Sequence, residues 1–141
     1  LPDGEVCALV MIDLDYFKGI NDTFGHDAGD RYLQSFSKVM SAMPADHFLT
    51  ARRSGDEFCM MVYGCQSREE IEGQMDAFYE KIRQNQIALS DTETRTISAS
   101  SGFAWTGDAG SDIAELLGRA DEALYVVKRD TKGVYGGYGG A

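Results

Sequence analysis

Cysteine, proline and histidine are scarce here, at three, two and two among 141 residues. An odd cysteine count excludes a complete disulfide framework. Cys7 and Cys59 lie within apolar runs, where a small buried thiol is the expected state, and Cys65 falls at a loop. No CxxC or HxxxH spacing joins these to His26 or His47, so a zinc site is not indicated. A reducing, cytoplasmic location fits the free thiols best. Positive charge is also short, with 13 Lys and Arg against 23 Asp and Glu and a net charge of −10. With no basic stripe to neutralise phosphates, general binding to nucleic acid or to an anionic membrane surface is excluded. Any phosphate ligand must then be held locally, by a metal and a few cations. No run of about 18 apolar residues and no signal-peptide pattern occurs, so no membrane insertion is expected of this segment. The chain opens on Leu1, not Met, close to a strand-like run, and reads as a piece trimmed at its N-terminus from something longer.

What is present is enough apolar material for one core, 43% of the residues with 11% aromatic. Residues 7–12 (CALVMI) form a continuous apolar run, expected of a central strand covered on both faces and stopping at Asp13. Residues 16–24 read as a short helix with Phe17, Ile20 and Phe24 inward. Gly25-His26 breaks it before a second helix over 27–43, with Leu33, Phe36, Val39 or Met40, and Met43 inward and Pro44 as its stop. Residues 48–52 and 57–63 flank Ser54-Gly55 as a hairpin. Ser67 and Glu70 form a capping box for a helix carrying Ile71, Met75, Phe78 and Ile82. Residues 94–105 read as one strand. Asp112 and Glu115 cap a last helix with Ile113, Leu116, Leu117, Ala120, Leu124 and Val127 inward, and Lys128, Arg129 and Lys132 near its end. Val134-Tyr135 reads as a final short strand, and 136–141 as a glycine-rich, flexible tail, leaving one domain over 1–135. This order favours an α+β fold, a central mixed or antiparallel sheet of about five strands flanked by helices.

Carboxylates cluster at two places. Asp13 and Asp15 follow the apolar run, and Asp56-Glu57 follow the Ser-Gly turn. Two carboxylates about 4 Å apart repel by roughly 4 kcal/mol at an effective dielectric of about 20, so a fold that converges them normally binds a divalent cation. An EF-hand is excluded, because its fifth, sixth and twelfth positions would be Phe17, Lys18 and Phe24. Asp15 stands where the next helix needs an N-cap, and capping is its expected role. Asp13 ends a buried strand, where an unpaired carboxylate costs several kcal/mol, so a cation or donors must meet it; Lys18 and Arg53 are the candidates. Asp56-Glu57 read equally as a solvated turn or as part of a site.

Three segments, IDLDYFKGINDTFGHDAGDRYL, RRSGDEF and ADEALYVVK, resemble in order and separation the GGDEF domain of diguanylate cyclases, here with an SGDEF signature. The resemblance covers nearly all of residues 5–135. It implies a palm-like nucleotidyl cyclase fold that condenses two GTP into cyclic di-GMP and pyrophosphate with Mg²⁺ or Mn²⁺. By motif position, Asp13, the Leu14 carbonyl and Asp56 would hold metal. Asp56, or Glu57 beside it, would help deprotonate the attacking ribose 3′-hydroxyl, the adjacent acids titrating jointly. Lys18 and the amides of Tyr16 and Phe17 would meet phosphates at a helix start. Lys128 and Lys132 would hold the outer phosphates. Asn21 and Asp30 would read guanine through its N1–H and exocyclic amine, and His26 joins them as a substrate contact.

The resemblance further implies a homodimer, since each domain brings one nucleotide, and a sensor or regulatory domain elsewhere in a bacterial signalling protein. Several positions depart from the pattern. Ser54 replaces the first signature glycine, Arg53 an aromatic residue, and Thr131-Lys132-Gly133 a Gly-Arg-Asn. The Arg-x-x-Asp product-inhibition site is replaced by Ala45 and Phe48, and the usual Asp-x-Leu-Thr segment is missing. A serine at position 54 is harmless at negative φ and strained at positive φ. Two alternatives accompany the cyclase reading: a degenerate domain that binds GTP without turnover as a regulatory module, and a cyclase making a different cyclic nucleotide.

Overall fold

The computed structural model of the protein describes residues 3–139. Strand β1 (Val6–Leu14) is flanked on both sides, by β3 (Glu57–Cys65) and β6 (Ala99–Trp105), each antiparallel to it. β2 (Phe48–Ser54) pairs antiparallel with β3, and β7 (Tyr135–Gly137) pairs parallel with β6, giving the order β2-β3-β1-β6-β7. This is the mixed five-stranded sheet of an α+β fold. β4 (Gln86–Ala88) and β5 (Thr94–Thr96) form a separate two-stranded ribbon.

The alternation of β1 sets the two layers. Ala8, Val10, Ile12 and Leu14 face a core built with α2 (His26–Ser41) and α3 (Arg68–Arg83), where Phe36 packs edge-on against Phe58 and Phe78. Leu9 and Met11 face α5 (Ile113–Asp130), meeting Leu116 and Ala120. Gly102 on β6 explains how close that helix lies: a Cβ there would sit 2.1 Å from the Leu124 amide nitrogen. Such an approach needs small residues, so the inner face of α5 is Leu116, Ala120, Ala123 and Val127, while Ile113 and Leu117 turn outward. The spacing rule had placed those two inside.

Other boundaries differ for identifiable reasons. β1 runs through Asp13 to Leu14, because both neighbouring strands continue its ladder to that point. α1 (Phe17–Phe24) starts one residue later than expected, and α2 runs from His26 to Ser41, with Met43 still buried in the turn beyond it. Residues 94–105 are two strands rather than one, since through Ile97, whose amide bonds the Asn85 carbonyl, the chain follows the β4–β5 ladder, whereas the Ser98 amide turns to the Tyr32 hydroxyl and from Ala99 the chain pairs with β1. Ser67 caps α3 as expected, accepting from the Glu70 amide, but the Glu70 carboxylate bonds the amide of Gln66. Asp112 caps α5, whereas Glu115 pairs with Arg119 after the short helix α4 (Thr106–Ala109) is passed.

The expected fraying tail is corrected over 136–139. Gly136 and Gly137 belong to β7, and the Tyr138 amide bonds the Phe103 carbonyl at 2.8 Å. Glycine lets this strand lie close to its neighbours: a Cβ on Gly137 would meet the Arg68 guanidinium at 2.5 Å and the Phe103 ring at 2.8 Å, and those side chains would have to move. Arg119 lies over the Tyr138 ring, 4.7 Å from its centroid. Residues 140 and 141 lie outside the described residues.

Candidate active site

Continuing the alternation of β1, Asp13 follows Leu9 and Met11 onto the α5 face, opposite Glu57 on β3 and Ser100 on β6. Ser54 pairs with Glu57 across the β2–β3 hairpin, so Gly55 and Asp56 form its tip, one residue later than the Ser-Gly turn expected. Gly55 takes φ of 46°, and the Leu14 amide bonds the Asp56 carbonyl at 3.1 Å. That bond stitches the hairpin tip to the end of β1 and sets the Asp56 carboxylate against that of Asp13. Burial raises the Asp13 pKa, Lys128 draws it back, and the Asp56 charge raises it again, leaving it at about 6.

The expected partners of Asp13 are displaced by a third. Lys128, on the last turns of α5, lies 3.4 Å from Asp13 Oδ2. Lys18 is 92% exposed and pairs with Asp22, and Arg53 reaches Asp121 at 3.7 Å. Asp13 Oδ1 is buried and has no hydrogen-bond partner, which singles it out among the described residues. A buried carboxylate oxygen left bare beside a second carboxylate is the electrostatic arrangement a divalent cation relieves. The residues present therefore fit such an ion, through Asp13, Asp56 and a nearby main-chain carbonyl. Among the described residues no three His, Cys, Asp or Glu side chains converge, so the remaining ligands would be main-chain, solvent or substrate oxygens.

Asp15 does not cap α1. It is fully buried, accepting from Ser98 Oγ and Ser100 Oγ at 2.7 Å each and from Lys128 Nζ at 2.9 Å. Burial works against the Lys128 ammonium, but Asp15 and Asp13 outweigh it and hold its pKa above the usual lysine value. Ser100 Oγ also accepts from the Gly133 amide at 3.0 Å, and the Tyr32 hydroxyl accepts from the Ser98 amide at 2.8 Å. These residues escaped sequence reading. The available signal was the run Ser98-Ala99-Ser100-Ser101, hydroxyls inside an otherwise apolar strand.

The cap of α1 falls instead to Tyr16, at φ 65° and ψ 13° with no side-chain cap bond. The first amides of α1 are thus left without a side-chain acceptor from Tyr16, as a phosphate contact requires. Tyr16 is exposed, Phe17 packs partly against the core, and Lys132 Nζ lies 5.7 Å from the Tyr16 ring centroid. Farther along, Asn21 lies across Gly29 so closely that a Cβ there would be 1.8 Å from Asn21 Oδ1. That brings Asn21 beside the residue adjoining Asp30, while Asp30 and His26 are exposed on the first turns of α2. The carboxylates, Lys128, Lys132 and Tyr16 thus share the β1–α1 end, and Asn21 and Asp30 mark the α1–α2 hairpin. A groove of about 660 Å³ between α5 and β7, lined by Val126, Val127, Tyr135 and Tyr138, includes none of them.

An acid one residue from the end of β1, a second at the hairpin tip and a lysine-bearing helix across the sheet frame the candidate site. The chain belongs to the diguanylate cyclase, GGDEF domain family, whose model matches residues 2–133. It is 36% identical to the cyclic di-GMP phosphodiesterase NbdA of Pseudomonas aeruginosa, covering 89% of this chain and 16% of that protein. It is 34% identical to the diguanylate cyclase TpbB of the same species, over 92% of this chain and 29% of the relative. The chain therefore spans well under half the length of these relatives. Among solved structures, the GGDEF domain of TpbB superposes with a TM-score of 0.86 at 32% identity, covering 96% of this chain and 84% of that one. The GGDEF domain of DgcB from Caulobacter crescentus, solved with c-di-GMP, gives 0.83 at 28% identity, over 96% and 79%.

Proposed function

We propose that this domain is a diguanylate cyclase, joining two GTP molecules into cyclic di-GMP with release of pyrophosphate across a homodimer. The observation that carries the reading is the bare, buried Asp13 Oδ1 set against the Asp56 carboxylate. Mg²⁺ or Mn²⁺, when bound, would neutralise these acids and the developing charge on the phosphate. Asp13 and Asp56, with the Leu14 carbonyl, would hold that ion. Asp56, with Glu57 beside it, accepts the 3′-hydroxyl proton of the attacking ribose. The amides at Tyr16 and Phe17 and the Lys18 and Lys132 ammoniums bind phosphate oxygens, while Asn21 and Asp30 select guanine by accepting from its N1–H and amine. His26 and Tyr16 border the same nucleotide, and Lys128 stands between the acids and the outer phosphates.

The GTP, metal and homodimer assignments rest on family membership combined with this placement. Ala45 and Phe48 supply neither guanidinium nor carboxylate, and Phe48 is buried, so product inhibition through that surface is not part of the proposal. A partner sensor domain belongs to the whole protein. No helix among the described residues is long and apolar enough to cross a membrane.

A second reading is a domain that binds GTP without turnover, motivated by Ser54 in place of the first signature glycine. One assay separates the two. A dimerised form given GTP and Mg²⁺ should yield cyclic di-GMP, and Asp56→Ala should not. GTP binding without product supports the regulatory module, and a different cyclic product formed when ATP is supplied redefines the substrate.

A further inference from the structure

The two acids of the Asp13-Leu14-Asp15 segment occupy contrasting surroundings. Asp13 keeps one oxygen bare, whereas each Asp15 oxygen already holds at least one donor: Ser98 Oγ on Oδ2, and Ser100 Oγ and Lys128 Nζ on Oδ1. With no exposed surface and three donors on its two oxygens, Asp15 is already compensated and does not need a cation. The same ammonium that Asp15 holds at 2.9 Å stands 3.4 Å from Asp13 Oδ2 and leaves Oδ1 uncovered. A lysine reaches such a point along a flexible four-carbon stem, and only a fixed anion behind it keeps it there.

We propose that Asp15 is a positioning residue that acts through Lys128. Held by the hydroxyls of Ser98, just before β6, and of Ser100, within it, it fixes the Lys128 ammonium so that this covers one oxygen of Asp13 and leaves the other for the ligand side of the site. The second acid of the motif is therefore a structural counter-ion of a lysine on a distant helix, and not a metal ligand. Ser98 and Ser100 serve as its donors, which gives a function to hydroxyls at the start of an otherwise apolar strand.

The inference rests on the nucleotide-site reading above, and its test uses binding as well as turnover. GTP affinity would be measured in Mn²⁺ and in EDTA, and Mn²⁺ affinity alone, for the wild type, Asp15→Asn, Lys128→Met and the double variant, with thermal midpoints alongside. The double variant removes the lone charge that Lys128→Met alone leaves at the fully buried position 15, so it remains measurable where Lys128→Met alone is unstable. Asp15→Asn should change GTP affinity in Mn²⁺ by about tenfold in the wild-type background and by less than twofold when Lys128 is already Met. A loss of similar size in both backgrounds, seen also with Mn²⁺ alone, would make Asp15 a ligand and overturn the proposal. A fall in thermal midpoint with affinities unchanged within twofold would reduce Asp15 to packing and overturn it too. Where Lys128→Met does not fold, Ser98→Ala replaces it, removing one donor while keeping both charges. A several-fold loss of GTP affinity then supports the proposal, and no change counts against it. If the wild type bound neither GTP nor Mn²⁺, the nucleotide-site reading itself would fall.

Discussion

Asp13 is held in a state that the isolated fold resists. Its pKa stands at about 6, against an ordinary carboxylate value near 4, chiefly because burial disfavours the charge. The native state thus binds this proton more tightly than the unfolded chain does. The stability Asp13 contributes is complete below about pH 4 and is lost as pH rises through about 6. Asp13→Asn should therefore raise the thermal midpoint at pH 7.5 in metal-free buffer while weakening Mn²⁺ binding, and the gap between the two proteins should close below pH 5. A lower midpoint for the variant at pH 7.5 would contradict this account. Ser54 offers a complementary case. Among the described residues Tyr16 is the one non-glycine at positive φ, so Ser54 occupies backbone that any residue adopts. Ser54→Gly should leave turnover within about twofold of the wild type, and a large gain would show that the hydroxymethyl group obstructs the nucleotide instead. At this scale the acid ending an apolar run was legible in the sequence. The burial of Asp15 was not, because local capping preference pointed one way and its donors come from a strand 85 residues on.

Elements were legible wherever period and caps agreed. Four helices and the hairpin follow from apolar spacing, from Ser67 and Asp112, and from the glycine-marked turn, whereas the four-residue α4 was not read from the sequence. Reading failed where a long-range contact chose the outcome. The break at residues 97–98 falls where the chain passes from pairing with β4 to pairing with β1, with the Ser98 amide on the Tyr32 hydroxyl, and the rotation of α5 depends on one glycine of β6. That glycine gives the prediction for this scale. A methyl group on Gly102 would meet α5 backbone, which cannot swing aside as a side chain can. Gly102→Ala should destabilise the protein by about 1–3 kcal/mol in urea unfolding. Because α5 carries Lys128, it should also weaken GTP binding, although residue 102 is buried beneath the helix. Unchanged urea midpoints would mean that α5 lies farther from the sheet than described.

For the whole molecule, the proposed site would hold one nucleotide, whereas two are joined in the proposed reaction. Rate per domain should therefore rise with protein concentration and level off when domains are fused or otherwise paired. A rate per domain independent of concentration in a strictly monomeric sample would refute the two-domain requirement. The five-stranded sheet and its helical layers were expected from the alternation of apolar runs, and the resemblance to a family was carried by motif order. Composition misjudged the last strand, because glycines that suggest slackness in a sequence are here the residues thin enough to pass between Phe103 and Arg68. A practical boundary follows for anyone preparing shorter versions. Cutting after residue 135, where the glycines begin, would amputate most of β7, strip cover from Phe103 and deprive Arg119 of its aromatic seat. Such a version should be poorly soluble for reasons that have nothing to do with chemistry, and an assay performed on it would mistake a damaged sheet for an inactive enzyme.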